Sequence, residues 1–342
     1  MAQAMTQPGK GIAVVAGLVA VGISALIAFI WEKRRQQRHA GAKILASQNT
    51  CSDVPVRPAD KEEEQTTPTS TVASVSLKEL LTVVLTTSSV PSHPSTYLLD
   101  ETLQSMSLAS GLLKCKLLIV CDGYKLCDAG TESRSRMGII NPDSAKRYEE
   151  YKHRLRERER HGEFHLLELH ERHGFGFAVK ASLKHVRTPY VIVMQHDRKF
   201  VRDVDIEPLI ASMEARPWVK YLGMPTQRTI HHEYHVLSKY GIYLQSVSLG
   251  GGLRATPLIQ WYDSAHICRS DYYRDFVFGP RRLVARGGFI EDKLGQTQLQ
   301  EIRTKGMDAH ADYGTYILND GVDEPLVQHL NGRDSRHLAH AC

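Results

Sequence analysis

Short, unbroken apolar runs alternate along the chain with longer stretches in which apolar residues recur every three or four positions. The run at 190–194 is of the first kind, and 81–87, 117–121 and 164–169 are also expected to be strands. A run so short and continuous predicts a strand buried on both faces, as in a parallel sheet covered by helices. Between the first two, residues 95–110 carry Leu98, Leu99, Leu103 and Leu108 at helical spacing. Residues 178–186 predict another helix. Strand, helix and strand in quick succession read as a βαβ unit with a right-handed crossover. Residues 144–162 interleave charges of both signs, which predicts a solvated helix held by i,i+4 pairs. Further on, the pattern predicts a helix over 206–215 and strands over 219–225, 259–268 and 313–318. A loop is expected at Gly250-Gly251-Gly252, and a polar helix between Asp292 and Gly306.

The run at 190–194 ends abruptly in Gln195, His196 and Asp197. Polar groups just past the carboxyl end of such a strand lie where open α/β sheets bind ligands. A buried strand followed by a solvated turn would show the same pattern. Asp197 is the carboxylate of the three.

Composition alters this picture at the N-terminus. Residues 11–31 carry no charge and end in Trp31, with Lys33, Arg34, Arg35 and Arg38 beyond. At about 1.5 Å per residue this stretch can span a hydrocarbon core of about 30 Å, so it predicts an uncleaved membrane anchor after a short tail at 1–10. Residues 32–75 are polar and rich in breakers, and predict a flexible stem. The folded domain is then expected over 76–342. The basic residues after the span favour a cytosolic domain by the positive-inside rule. An anchor and stem of this kind suggest instead the lumen of the Golgi or endoplasmic reticulum. The formal net charge of +5 over 342 residues names no partner, and no nucleic-acid motif occurs. None of the six cysteines forms a CxxC pair, which argues against a structural zinc site. Cys115 and Cys121 are expected to be buried thiols.

The order of elements resembles the nucleotide-diphospho-sugar transferase (GT-A) fold, and within it the family 2-like glycosyltransferases, over about residues 81–330. The features that carry the resemblance are Leu85-Thr86-Thr87 at the first strand's end, Asp122-Gly123 at the second's, and Gly174-Phe175-Gly176-Phe177-Ala178. Gln195-His196-Asp197 falls at the Asp-x-Asp position, followed by the acidic pair Glu291-Asp292 and by His329. The resemblance implies a mostly parallel α/β sheet with flanking helices, and a nucleotide-diphosphate sugar, UDP-linked by expectation, as co-substrate. It implies nucleotide-sugar contacts from Thr86, Thr87, Asp122, Lys180, Gln195, His196 and Asp197. A divalent Mn²⁺ or Mg²⁺ would sit on Asp197 and His329, with Asp292 and Glu291 as the catalytic acids of an inverting enzyme. The acceptor would be a hydroxyl on a glycan, glycoprotein or glycolipid, over a floor of Trp261, Tyr262 and Asp263.

The chain departs from that pattern in three places. Gln195 replaces the first aspartate of the metal motif, Lys180 replaces the helix asparagine, and Arg198-Lys199 follows Asp197. Each residue also has an ordinary reading: Asp122 as a turn former, Glu291 and Asp292 as first-turn acids, His329 as a surface histidine, and Trp261 and Tyr262 as core. A non-catalytic nucleotide- or glycan-binding relative would show the same departures. A sugar nucleotidyltransferase usually carries a glycine-rich basic loop after the first strand, and none is present here.

Overall fold

The computed structural model describes residues 75–128, 131, 134 and 137–331. The tail at 1–10, the anchor at 11–31 and nearly all of the stem at 32–75 lie outside the described residues. Among the described residues no helix is long and apolar enough to cross a membrane.

The first half alternates as expected: β1 (Leu81–Thr87), α1 (Tyr97–Ser105), β2 (Lys116–Cys121), α2 (Pro142–Arg160), β3 (His165–Glu168), α3 (Phe175–Ser182) and β4 (Tyr190–Gln195). There follow β5 (Arg198–Phe200), α4 (Ile206–Glu214), β6 (Tyr221–Gly223), α5 (His232–Tyr240), β7 (Val247–Gly250), β8 (Leu253–Pro257), β9 (His266–Arg269), α6 (Gln296–Lys305), β10 (Thr315–Leu318) and β11 (Val327–His329). Nine strands form one sheet in the order β7-β8-β10-β6-β9-β4-β1-β2-β3. β5 and β11 form a separate antiparallel ribbon.

The sheet is mixed rather than mostly parallel, which corrects the expectation. β4, β1, β2 and β3 run parallel to one another, as do β6 and β10. The pairs β7–β8, β8–β10, β6–β9 and β9–β4 are antiparallel. Parallel neighbours need a long crossover, and helices supply it in the first half. In the second half β7 turns straight into β8 through Gly250, Gly251 and Gly252, all at positive φ, where glycine carries no steric penalty.

β4 shows why its sequence reads as a buried strand. Val191 and Val193 face one core with Ala178 and Val179 of α3. Ile192 and Met194 face another with Ile206 and Ile210 of α4. Alternation along the strand sends neighbours to opposite faces, and both faces are covered.

Other elements also differ from expectation. α2 is not simply solvated: Tyr148, Tyr151 and Leu155 form a buried stripe against Ile119 and Cys121 of β2. Asn141 caps it by accepting the Ser144 N–H at 2.8 Å. Within residues 259–268 the strand is confined to His266–Arg269, because Trp261 anchors the preceding loop inside the core. α5 and the strands β7 and β8 had no sequence counterpart, although the loop between the two strands was expected. α5 buries just His232 and Val236, too few to make a periodic signal. Cys115 and Cys121 are buried free thiols, as expected.

Leu155→Ala should therefore cost about 2–5 kcal/mol in urea denaturation; a solvated helix position would lose under about 0.5 kcal/mol. His266 is fully buried, with its Nδ1–H donated to the Ser264 carbonyl at 2.6 Å and its Nε2 against the Tyr273 hydroxyl. Burial pushes its pKa, and that of His232, down to about 4. Below pH 6.5 the unfolded chain takes up protons that these rings refuse, so stability falls as pH drops toward 4. Each ring contributes a slope of about 1.4 kcal/mol per pH unit in that window. Urea midpoints between pH 7.5 and 4.5 should show the fall, and His266→Gln should make it shallower.

Candidate active site

The carboxyl ends of β1, β2, β3 and β4 open on a cleft of about 200 Å³. Thr86 and Thr87 end β1 at its floor. Asp122 follows β2, Gly174 opens α3, and Gln195, His196 and Asp197 follow β4. Six of the expected site residues therefore share one cavity.

Asp122 does the work of a loop clamp. Its Oδ1 accepts the His173 N–H at 2.8 Å and its Oδ2 the Gly174 N–H at 2.9 Å. Burial raises its pKa, and these donors offset part of the rise. The clamp holds the turn into α3 where Gly174, at φ 75°, passes the backbone of Gly287; a side-chain carbon at Gly174 would lie 2.5 Å from the Gly287 carbonyl carbon. Gly287, Gly288 and Phe289 form the facing wall.

Gln195 departs from the motif, and the structure gives the amide a use. Its Nε2 donates to the Asp263 carbonyl at 2.6 Å, which a carboxylate could not do. Asp263 is buried. Its Oδ1 accepts from Trp261 Nε1 at 3.0 Å and its Oδ2 from the Glu291 N–H at 2.9 Å. Burial and the neighbouring Glu291 charge push the Asp263 carboxyl well above the usual range. Glu291 Oε2 in turn accepts the Asp263 N–H at 3.3 Å. Gln195, Asp263 and Glu291 thus tie the end of β4 to the turn before α6.

His196 is buried. Its N–H donates to the Thr86 carbonyl at 3.0 Å, its carbonyl accepts from Thr102, and its Nε2 has no partner. Asp197 Oδ2 lies 3.1 Å from His329 Nε2, while its buried Oδ1 has no partner. Burial works to raise the Asp197 pKa, but the His329 hydrogen bond and the His196, His329 and Arg198 charges outweigh it and hold it at about 2. The same hydrogen bond raises the pKa of His329.

This donor set fits a hard divalent ion in part. Asp197 offers a hard carboxylate oxygen, and His329 Nε2 would have to give up the proton it shares with Asp197 to join it as a ligand. The orphan Oδ1 leaves a lone pair to spare. Among the described residues no group of three or more His, Cys, Asp or Glu could hold a metal, so substrate phosphates would have to complete the shell.

Several expected residues lie elsewhere. Lys180 is exposed on the far side of α3, its Nζ over the rings of Phe177 and Phe278, and does not line the cleft. Trp261 is fully buried against Tyr221 and Tyr273 and cannot stack on a sugar. Asp263 is likewise core, and the Tyr262 carbonyl accepts from the Tyr221 hydroxyl at 2.8 Å. The acceptor floor expected of these three is therefore corrected: hydrogen-bonded packing accounts for them. Asp292 is exposed, with Oδ2 accepting the Phe289 N–H at 2.8 Å, and neither it, Glu291 nor His329 lines the cleft. Lys199 pairs with Glu101 at 2.9 Å. The cleft also includes Arg172, which the sequence did not flag. Its Nη2 donates to the Gly287 carbonyl at 2.7 Å, a contact made across 115 residues that no local spacing announces.

No family profile matches the sequence, and no curated protein does. Among solved structures the chain is similar to S. aureus TarS, at 13% identity over 70% of this chain and 35% of that one, with a TM-score of 0.38. It is similar to the mannosyltransferase PcManGT from Pyrobaculum calidifontis, solved with GDP-Man and Mn²⁺, at 16% identity over 55% and 44% with a TM-score of 0.31. It is also similar to a CMP:2-keto-3-deoxy-manno-octonic acid synthetase complexed with CTP, at 11% identity over 70% and 88% with a TM-score of 0.36. The chain spans about a third of the length of TarS. At scores this low the likenesses carry no weight for the details of the site.

Gln195→Glu keeps the shape and removes the donor, setting a carboxylate against the Asp263 carbonyl. A loss of about 1–3 kcal/mol in chemical denaturation is expected. An unchanged midpoint would mean that the amide bridge contributes nothing.

Proposed function

We propose that the chain is a glycosyltransferase that moves a sugar from a nucleotide-diphosphate donor to an acceptor hydroxyl. The observation that carries this reading is the unpartnered Asp197 Oδ1, buried in a cleft at the carboxyl ends of parallel strands and flanked by His329. A buried carboxylate oxygen left without a partner is costly unless a ligand completes it.

In this reading Asp197 and His329 would hold Mn²⁺ or Mg²⁺, which when bound supplies positive charge to the donor's diphosphate. Thr86, Thr87 and Asp122 line the end of the cleft suited to the nucleoside. The acceptor, a glycan, glycoprotein or glycolipid, must lose a proton as its oxygen attacks. Glu291 suits that task better than Asp292. It is half-buried, and burial together with the Asp292 charge raises its pKa, toward the range where a carboxylate serves as general base near neutral pH. A single base acting opposite the departing diphosphate would invert the anomeric centre. The apolar stretch at 11–31 would tether the enzyme to a Golgi or endoplasmic reticulum membrane, and protease protection on sealed vesicles reads which face carries the domain.

One observation favours a second reading. Gln195 spends its amide on Asp263, so the position of the first metal carboxylate serves the fold. A relative that binds nucleotide or glycan without turnover would look the same.

A thermal-shift panel of nucleotide sugars with and without Mn²⁺ separates the readings. An enzyme should gain about 2.7 kcal/mol at a ligand concentration of 100 Kd and hydrolyse its donor slowly. Asp197→Asn and Glu291→Gln should each cut that hydrolysis about 100-fold or more. Stabilisation with no hydrolysis supports the binding module. No stabilisation by any nucleotide removes the donor site altogether.

A further inference from the structure

Arg198 stands one residue past Asp197, at the start of β5. In the β5–β11 ribbon it pairs directly with His329. Opposed residues of an antiparallel pair put their side chains on one face. His329 turns toward the Asp197 carboxylate, so the Arg198 guanidinium shares that side of the ribbon.

Two neighbouring cations have acidic partners, and Arg198 has none among the described residues. Lys199 takes Glu101 at 2.9 Å, and Arg202 takes Asp320 at 2.6 Å. Arg198 forms no ion pair among the described residues, and its Nε is buried without a partner. Burial works against its charge; Asp197 and Glu291 favour it, and Arg228 opposes it. Arg228 belongs to the loop after β6, which meets β11 where Thr226 bridges to Val327. It too forms no ion pair among the described residues. Two guanidinium groups near enough to oppose each other, one of them largely desolvated, are unfavourable until an anion joins them.

We propose that Arg198 and Arg228 clamp the diphosphate of the donor beside Asp197 and His329. The proposal rests on the donor reading above and adds the groups that receive the leaving group. A guanidinium fork matches two phosphate oxygens at once. In the transfer the acceptor oxygen bonds to the anomeric carbon, and the bond from that carbon to the β-phosphate oxygen breaks. The electron pair leaves with the nucleoside diphosphate, and the acceptor's proton passes to Glu291. Charge grows on the β-phosphate, where the two arginines stand ready before the step begins. Part of the affinity for diphosphate therefore survives removal of the metal.

Isothermal titration of the full chain tests this with inorganic pyrophosphate, UDP and GDP, each in EDTA and in Mn²⁺. Pyrophosphate and at least one nucleoside diphosphate should bind in EDTA. Arg198→Ala and Arg228→Ala should each weaken that binding about 10-fold or more, as expected for loss of a charged hydrogen bond. Arg198→Lys should weaken it as well, because a point charge cannot replace the fork. Arg228 is exposed, so its variant keeps the test decisive even if Arg198→Ala unfolds. Binding in EDTA that neither arginine affects overturns the clamp. Binding that requires Mn²⁺ overturns the clamp and leaves the donor reading standing. No binding in either condition overturns both. Wild-type diphosphate affinity combined with lost affinity for glucuronate would assign the arginines to an acidic acceptor and likewise overturn the clamp.

Discussion

A strand buried on both faces must hand its polar backbone and side chains to partners the moment it ends, and the close of β4 shows how this is done. The His196 N–H goes to Thr86, and its carbonyl takes Thr102. The Asp197 carbonyl takes the Leu330 N–H at 2.9 Å. The Asp197 carboxylate takes His329 on one oxygen and nothing on the other. Three segments distant in sequence are held against one turn. The single oxygen left over is where a ligand gains most by binding, because the protein has already removed its water.

The next residue back carries a second piece of construction. Gln195 donates to Asp263, and Asp263 and Glu291 exchange backbone and side-chain hydrogen bonds. A carboxylate at position 195 would face a carbonyl oxygen and repel it. The amide thus joins the cleft to the acidic turn before α6.

Charge adds to this construction. Arg198, Arg228 and His329 act on Asp197 and Glu291, and Asp292 adds a third acid beside Glu291. Low local dielectric strengthens each interaction and makes each unpaired charge costly.

The alternation of apolar runs and helical spacing determined β1 to β4 with their helices, and with them the end of the sheet where the cleft opens. Buried parallel strands must be continuously apolar, so they are visible in one dimension. The polar breaks after Thr87, Cys121 and Met194 marked the cleft for the same reason. What the chain order could not decide was which polar residues face that cleft. Lys180 and Trp261 matched expectation in spacing, yet helix phase and packing turned them away. Arg172 and Arg228 carried no local signature, because their neighbours arrive from distant segments. The antiparallel half of the sheet, the Gln195 bridge and the Asp197–His329 contact all depend on residues brought together across long stretches of chain, and tertiary packing alone determines those distances.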